Sequence, residues 1–340
     1  MAVLPAVYDM NEWYFLVKDE ATVGTAITTG MQLLNLNGDV SVSSEVTQTL
    51  DIKSGSGRTL KTQDVFTDAN GQLTTITVPI VLDTTVSPLL HSNAFGVAVG
   101  ATPASYDLAS AYSPDGVLHG GASGPAVSLT CYLVSPETGE TKSFVGCVIT
   151  QMVVTLDSGT ESGRRTAALT IETGYRPLDG SSFTGSGSNV PYGQTFHYLR
   201  EYCALKQIEA LDVVMNKVEY TISNPASFLG FNAACGGDPE MITRAIGGAS
   251  FTMVVGVKYD ANTANLWEAQ RDGDIIDIEL SDHATWASST FGILCAEMKL
   301  TDNITPSGTD KGVFQDLSLM ATGDVDAFGV ATGNLAEVVA

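Results

Sequence analysis

Six segments in the first half of the chain return in the second half in the same order, and this repetition limits the fold more than any other feature of the sequence. NGDVSVS at residues 37–43 returns as NKVEYTIS at residues 216–223, with Val40 and Val42 matched to Tyr220 and Ile222. TITVPIVLD at residues 75–83 returns as TMVVGVKYD at residues 252–260, so Ile76, Val78, Ile80 and Leu82 answer Met253, Val255, Val257 and Tyr259. A period of two puts each foursome on one face of a β-sheet. Each of these strands then runs into a predicted short helix closed by glycine, TTVSPLLHSNAFG ending at Gly96 and ANTANLWEAQRDG ending at Gly273.

The remaining matches follow in step. AVSLTCYL from Ala126 parallels IIDIELSD from Ile275. FVGCVITQMVVTLD at residues 144–157 parallels TFGILCAEMKLTDN at residues 290–303, which sets Gly146 against Gly292 and Met152 against Met298. LTIETG at residues 169–174 parallels LSLMATG at residues 317–323.

With 340 residues, two core-bearing units are the natural expectation, and the two copies supply them. Charged residues make up only 16% of the chain, and Gly, Ser and Thr are abundant while long helical periodicity is scarce, so the composition is mostly β. The boundaries follow: an N-terminal arm over residues 1–30, a first β unit over 31–177 with an insertion loop at 97–125, a Gly/Ser linker over 178–204, a second unit over 205–323, and a C-terminal arm over 324–340. EWYFLV at residues 12–17 reads as an apolar strand that must pack on something, and residues 198–210 as a short connecting helix.

A net charge of −22, from 38 acidic against 16 basic residues, argues against a protein that grips nucleic acid, because tight binding comes from Lys and Arg neutralising phosphates. No apolar run approaches the ~20 residues a membrane helix needs, and MAVLPAVYDMNEWYFLV has no leader pattern, so the chain reads as soluble and leaderless. Its five cysteines show no Cys-x-x-Cys spacing and read as buried free thiols.

Signatures of chemistry are missing. The run at residues 55–59 lacks the spacing of a phosphate loop, and GASGP at residues 121–125 is not a nucleophile elbow. His91, His119, His197 and His283 form no metal-ligand pattern, and DANG at residues 68–71 lacks the later ligands of a calcium loop. No catalytic, cofactor or metal residue is therefore expected, and the chain reads as a non-enzyme.

The order of the repeated unit resembles the tail tube protein of long-tailed bacteriophages. The likeness rests on an alternating strand, a long loop, an apolar strand into a short helix, then the segments FVGCVITQMVVTLD and TFGILCAEMKLTDN and the closing strands LTIETG and LSLMATG. The tandem copy is similar to the fused members that build trimeric instead of hexameric rings. The resemblance implies two tandem β-sandwich or half-barrel units, rings of three chains stacked into a tube, contacts with other tail proteins, passage of double-stranded DNA, and a place in the virion tail after assembly in the host cytoplasm.

It also implies that one sheet face lines the bore. That face would carry Asp39, Ser41, Ser43, Gln151, Thr155, Thr170 and Glu172 from the first unit, and Glu219, Thr221, Ser223, Glu297, Lys299, Thr301 and Ser318 from the second, an acidic and hydroxyl lining. Lys53, Arg58, Lys61 and Arg244, in the loops at residues 51–71 and 231–248, are expected to touch neighbouring rings or subunits. The alternatives are the tube of a contractile injection system, a single-ring distal or terminator protein, and a surface β-sandwich binding module that uses the 97–125 loop. A hydrolase with its site in that loop, around Asp115 and His119, is a further rival.

Overall fold

The computed structural model describes residues 13–44, 47–50, 65–68, 73–96, 104–106, 128–135, 140–160, 163–179, 195–202, 204–231, 239–243, 250–263, 266–284, 291–301, 307–309, 312–321 and 335–339. The chain is mostly β, with strands paired antiparallel throughout and two short helices among these residues. The first half runs β1 (Tyr14–Asp19), β2 (Gln32–Leu33), β3 (Asn35–Leu36), β4 (Ser41–Ser44), the hairpin β5 (Thr47–Leu50) and β6 (Val65–Asp68), and β7 (Thr74–Val81). It continues with α1 (Ser87–Phe95), β8 (Ala104–Tyr106), β9 (Leu129–Val134), β10 (Thr141–Asp157), β11 (Thr166–Thr173) and β12 (Leu178–Asp179).

The second half follows with β13 (Leu205–Ile208), β14 (Leu211–Asp212), β15 (Met215–Ser223), the hairpin β16 (Ala226–Phe231) and β17 (Pro239–Thr243), and β18 (Ser250–Lys258). Then come α2 (Leu266–Asp272), β19 (Ile276–Ser281), β20 (Phe291–Leu300), β21 (Ser307–Thr309), β22 (Gly312–Ala321) and β23 (Leu335–Val339).

Both halves pair their strands in one pattern. In the first, a wall sheet runs β4–β7–β11–β10, and in the second β15–β18–β22–β20. β10 near its middle, and β20 near its C-terminal end, passes from the wall into a second sheet, β2–β1–β9–β10–β12 or β14–β13–β19–β20–β23. β8, from within the 97–125 segment, adds to the outer edge of β23. The turn after each wall strand is also shared. The Asp83 carboxylate accepts the N–H groups of Thr85 and Val86, and the Asp260 carboxylate those of Asn262 and Thr263. Both helices stop at a left-handed glycine, Gly96 at φ 72° and Gly273 at φ 74°, as the sequence predicts.

Burial follows the alternation. Ile76, Val78 and Ile80 of β7, and Met253, Val255 and Val257 of β18, are all at most 1% exposed. They belong to one core that runs through both halves, bridged by Phe95 and Tyr220 packing on Phe251 with ring centroids 6.0 and 5.9 Å apart.

Several details differ from the sequence expectation. β1 is a central strand of the second sheet with Phe15 and Val17 fully buried, so the boundary at residue 30 falls inside that sheet. The helix expected at residues 198–210 is a turn followed by the β13–β14 hairpin. The C-terminal segment returns as β23 along the chain's own β20.

The matched positions also slide. Val42 lies opposite Ile76 and Tyr220 opposite Met253, which pairs Val42 with Tyr220 instead of Ile222. Both long strands carry a bulge where they leave the wall, at Gly146 (φ 60°) and at Glu297 (φ 56°), so Gly146 corresponds to Glu297 and Cys147 to Met298. A carboxylate holds each bulge. Glu20 accepts the Gly146 N–H at 2.9 Å, along with Gly24, Ser128 and Thr130, and Asp277 accepts the Glu297 N–H at 3.1 Å.

Candidate functional site

The two wall sheets are joined edge to edge. The outer half of β10 pairs with β15 over seven residues, from Gln151 opposite Ser223 to Asp157 opposite Lys217, making one sheet β4–β7–β11–β10–β15–β18–β22–β20. Apolar residues of these strands enter the core, and the opposite face is a field of hydroxyls. One row across it reads Ser41, Thr77, Thr170, Gln151, Ser223, Ser250. Another reads Thr166, Thr155, Glu219, Val254, Ser318, beside which Thr301 donates its backbone N–H to the Ser318 carbonyl at 2.9 Å.

Twelve of the fourteen bore-lining candidates fall on this face: Ser41, Ser43, Gln151, Thr155, Thr170, Glu172, Glu219, Thr221, Ser223, Lys299, Thr301 and Ser318. Asp39 is exposed just before β4 begins. Glu297 is a correction: it sits in the bulge, 8% exposed, because the extra residue breaks the alternation there. Lys53, Arg58, Lys61 and Arg244 lie outside the described residues.

The charge of the face is also a correction. Asp157, Glu172, Glu219 and Asp316 stand against Lys217, Lys258 and Lys299 among the described residues, so the face is hydroxyl-rich and nearly balanced. Lys217 is engaged by Glu219 at 3.2 Å. Burial between its neighbours pushes the Glu172 carboxyl above the ordinary range.

Under the joint lies a buried polar chain that the sequence did not announce. Arg165, 2% exposed, donates from Nη2 to the Tyr220 hydroxyl at 2.7 Å, and that hydroxyl meets His91 Nε2 at 2.9 Å. His91 Nδ1 lies 2.9 Å from the Ser87 carbonyl, which can only accept, so Nδ1 carries the proton, Nε2 accepts, and Tyr220 donates to it. The chain ties α1 and the residue that precedes β11 in the first half to β15 of the second. Asn93 and Asn224 finish the seal: Asn93 Oδ1 accepts the Ile149 N–H at 2.7 Å, and Asn224 donates to the Ala94 carbonyl.

At its two ends the wall is open among the described residues. Among these residues the strand pairings form a branched path that does not return on itself, leaving β4 with β7 on one flank and, at the far end, β21 and Lys299–Leu300 of β20 with β22 on one flank. Val42 is 39% exposed where its counterpart Tyr220 is fully buried.

Among the described residues, no group of three metal-ligating side chains comes together, and no helix is long and apolar enough to cross a membrane. Cys131, Cys147 and Cys295 are buried free thiols, as expected, and burial pushes the Cys147 and Cys295 thiols far up. No protein-family model matches the sequence, and no curated protein matches it.

Proposed function

We propose that the chain is a duplicated tail tube subunit of the long-tailed phage kind, and that three copies close a ring by repeating between chains the joint that β10 and β15 make within one. The observation that carries this reading is the head-to-tail union of two wall sheets with the same strand order, which leaves a β15-like edge (β4) at one end and, at the other, β21, whose Ser307 opposite Phe314 answers Thr155 opposite Thr166 in the outer half of β10. Such an interface is heterologous, so it either closes a ring or runs on as a filament, and a twisted sheet favours closure. Closure also removes the exposed edges.

Eight wall strands per chain give twenty-four per ring. With a strand spacing of about 4.8 Å and a tilt of about 40°, such a barrel is about 50 Å across between backbones, room for a duplex to pass. The hydroxyl face then lines the bore. Its few lysines are matched by carboxylates, so phosphates find no cluster of free cations and DNA slides without being held. Rings stack into a tube that meets other tail proteins at its ends, within the virion tail, after assembly in the host cytoplasm.

Negative-stain electron microscopy of the purified protein tests the reading. Hollow tubes or rings support it, long tubes favour a tube over a single-ring component, and a compact particle at every concentration refutes it. Glu219→Lys places a second cation beside Lys217 in the bore, and it should slow DNA ejection while tubes still assemble. Unchanged ejection would remove the bore assignment.

A further inference from the structure

In the second half, the segment that leads into β13, residues 195–202, lies back over the first half. Its backbone is stitched to the turn after β7 and to the start of β11. Thr84 N–H donates to the Thr195 carbonyl at 3.2 Å, Arg165 N–H to the His197 carbonyl at 2.9 Å, and Leu199 N–H to the Gly163 carbonyl at 2.8 Å. Asp83 pairs with Phe196, and Arg164 with Tyr198, as isolated bridges. Leu199 and Tyr202 enter the core, and Leu82 and Val86 are 1% exposed beneath this cover.

The second half has the same turn without a cover from the described residues. Tyr259, the counterpart of Leu82, is 38% exposed, and Val214, whose carbonyl accepts the N–H of adjacent Lys258, is 52% exposed. The ladders identify the segment that would fit. Val17 lies opposite Cys131 and Ile208 opposite Ile278, and these two positions correspond, so residues 195–202 correspond to residues 4–11 ahead of β1. That stretch, LPAVYDMN, carries Leu4, Val7, Tyr8 and Met10, and it lies outside the described residues.

We propose that residues 4–11 of a neighbouring copy cover the turn at Tyr259–Asn262, placing Val7 and Tyr8 where Tyr198 and Leu199 lie within the chain. The identity of the occupant follows from order. The segment entering the second half covers the unit before it, and the unit before the first half is the second half of the next chain. The inference therefore rests on the ring reading. It adds a strap that staples each chain to its neighbour, outside the wall strands.

A cysteine pair tests it. Leu4 takes the place of Thr195 and Ala261 that of Thr84, so Leu4→Cys with Ala261→Cys, oxidised mildly after assembly, should give covalent dimers and trimers on non-reducing gels. The bands should require both substitutions and the assembled state. Assembled rings without the cross-link, or a cross-link closed inside one chain, overturn the strap while leaving the ring reading intact. A chain that never assembles overturns the ring reading and the strap with it. As a second measurement, deleting residues 2–11 should leave the circular dichroism unchanged and raise the concentration needed for assembly about tenfold. Unaltered assembly would contradict the docking.

Discussion

The joint at the middle of the chain and the two edges at its ends are made from corresponding strands, yet one is sealed and the other open. At the joint, β15 has partners on both sides, and α1 below it is largely buried, with His91 and Asn93 engaged in the polar contacts that close it. At the ends, β4 presents exposed Ser41, Val42, Ser43 and Ser44, and α2, the counterpart of α1, carries exposed Glu268, Arg271 and Asp272. The covalent link holds the two halves together at high effective concentration, so their joint can bury apolar and polar groups permanently. A joint between separate chains has to leave the free subunit soluble, and hydroxyl and charged residues along a bare edge serve that need. On the proposed ring, one geometry is thus written in two chemistries, according to whether the partner is always present.

The comparison can be broken most decisively at the open edge. Val42→Asp puts a charge where Tyr220 lies buried in the sealed joint, and assembly should be lost while the free subunit changes by no more than about 0.5 kcal/mol. Sedimentation and chemical denaturation measure the two effects. Next in size is the bulge. Gly146→Ala forces a side chain into a left-handed position where its Cβ would overlap the Tyr175 ring, a cost of about 2–4 kcal/mol in urea unfolding.

Tyr220→Phe tests the sealed joint itself. It takes the hydroxyl from between Arg165 and His91, and should cost about 2 kcal/mol, because a buried charged donor loses the hydroxyl as an acceptor. Glu297→Gly is the counterpart of the glycine change and should have the opposite sign, stabilising by about 1 kcal/mol through relief of the left-handed backbone. The smallest effect is a pH slope. The folded-state value of Glu172 is raised, so the fold favours its protonated form, and stability falls as pH climbs from the ordinary glutamate value of 4.5 through the raised one. Glu172→Gln should flatten that slope in denaturation curves measured across the acid range.

Much of this architecture can be read from the sequence, and the reason is burial on one side only. Where a strand packs one face on the core, as β7 and β18 do, alternation marks the strand, its core residues and its opposite face together. Glycine at a helix end is equally plain, as Gly96 and Gly273 show. Register is less visible, since a period-two pattern looks the same after a shift of two, and matching Val42 to Ile222 instead of Tyr220 keeps every residue on its proper face. The bulge was hidden for a different reason. Gly146 announces a left-handed position, whereas Glu297 takes one by force of tertiary context, and the extra residue carries it off the hydroxyl face. The Arg165–Tyr220–His91 chain could not be read at all, because it joins residues 55 and 129 positions apart through contacts that leave no local pattern.

The most direct measurement is electron cryomicroscopy of the assembled protein at a resolution that separates strands. The account predicts three chains around a bore, with β4 of each chain paired antiparallel to β21 of the next as β15 is paired to the outer half of β10. A ring in which those two edges face solvent, or a protein that stays a single compact particle however concentrated, would contradict it.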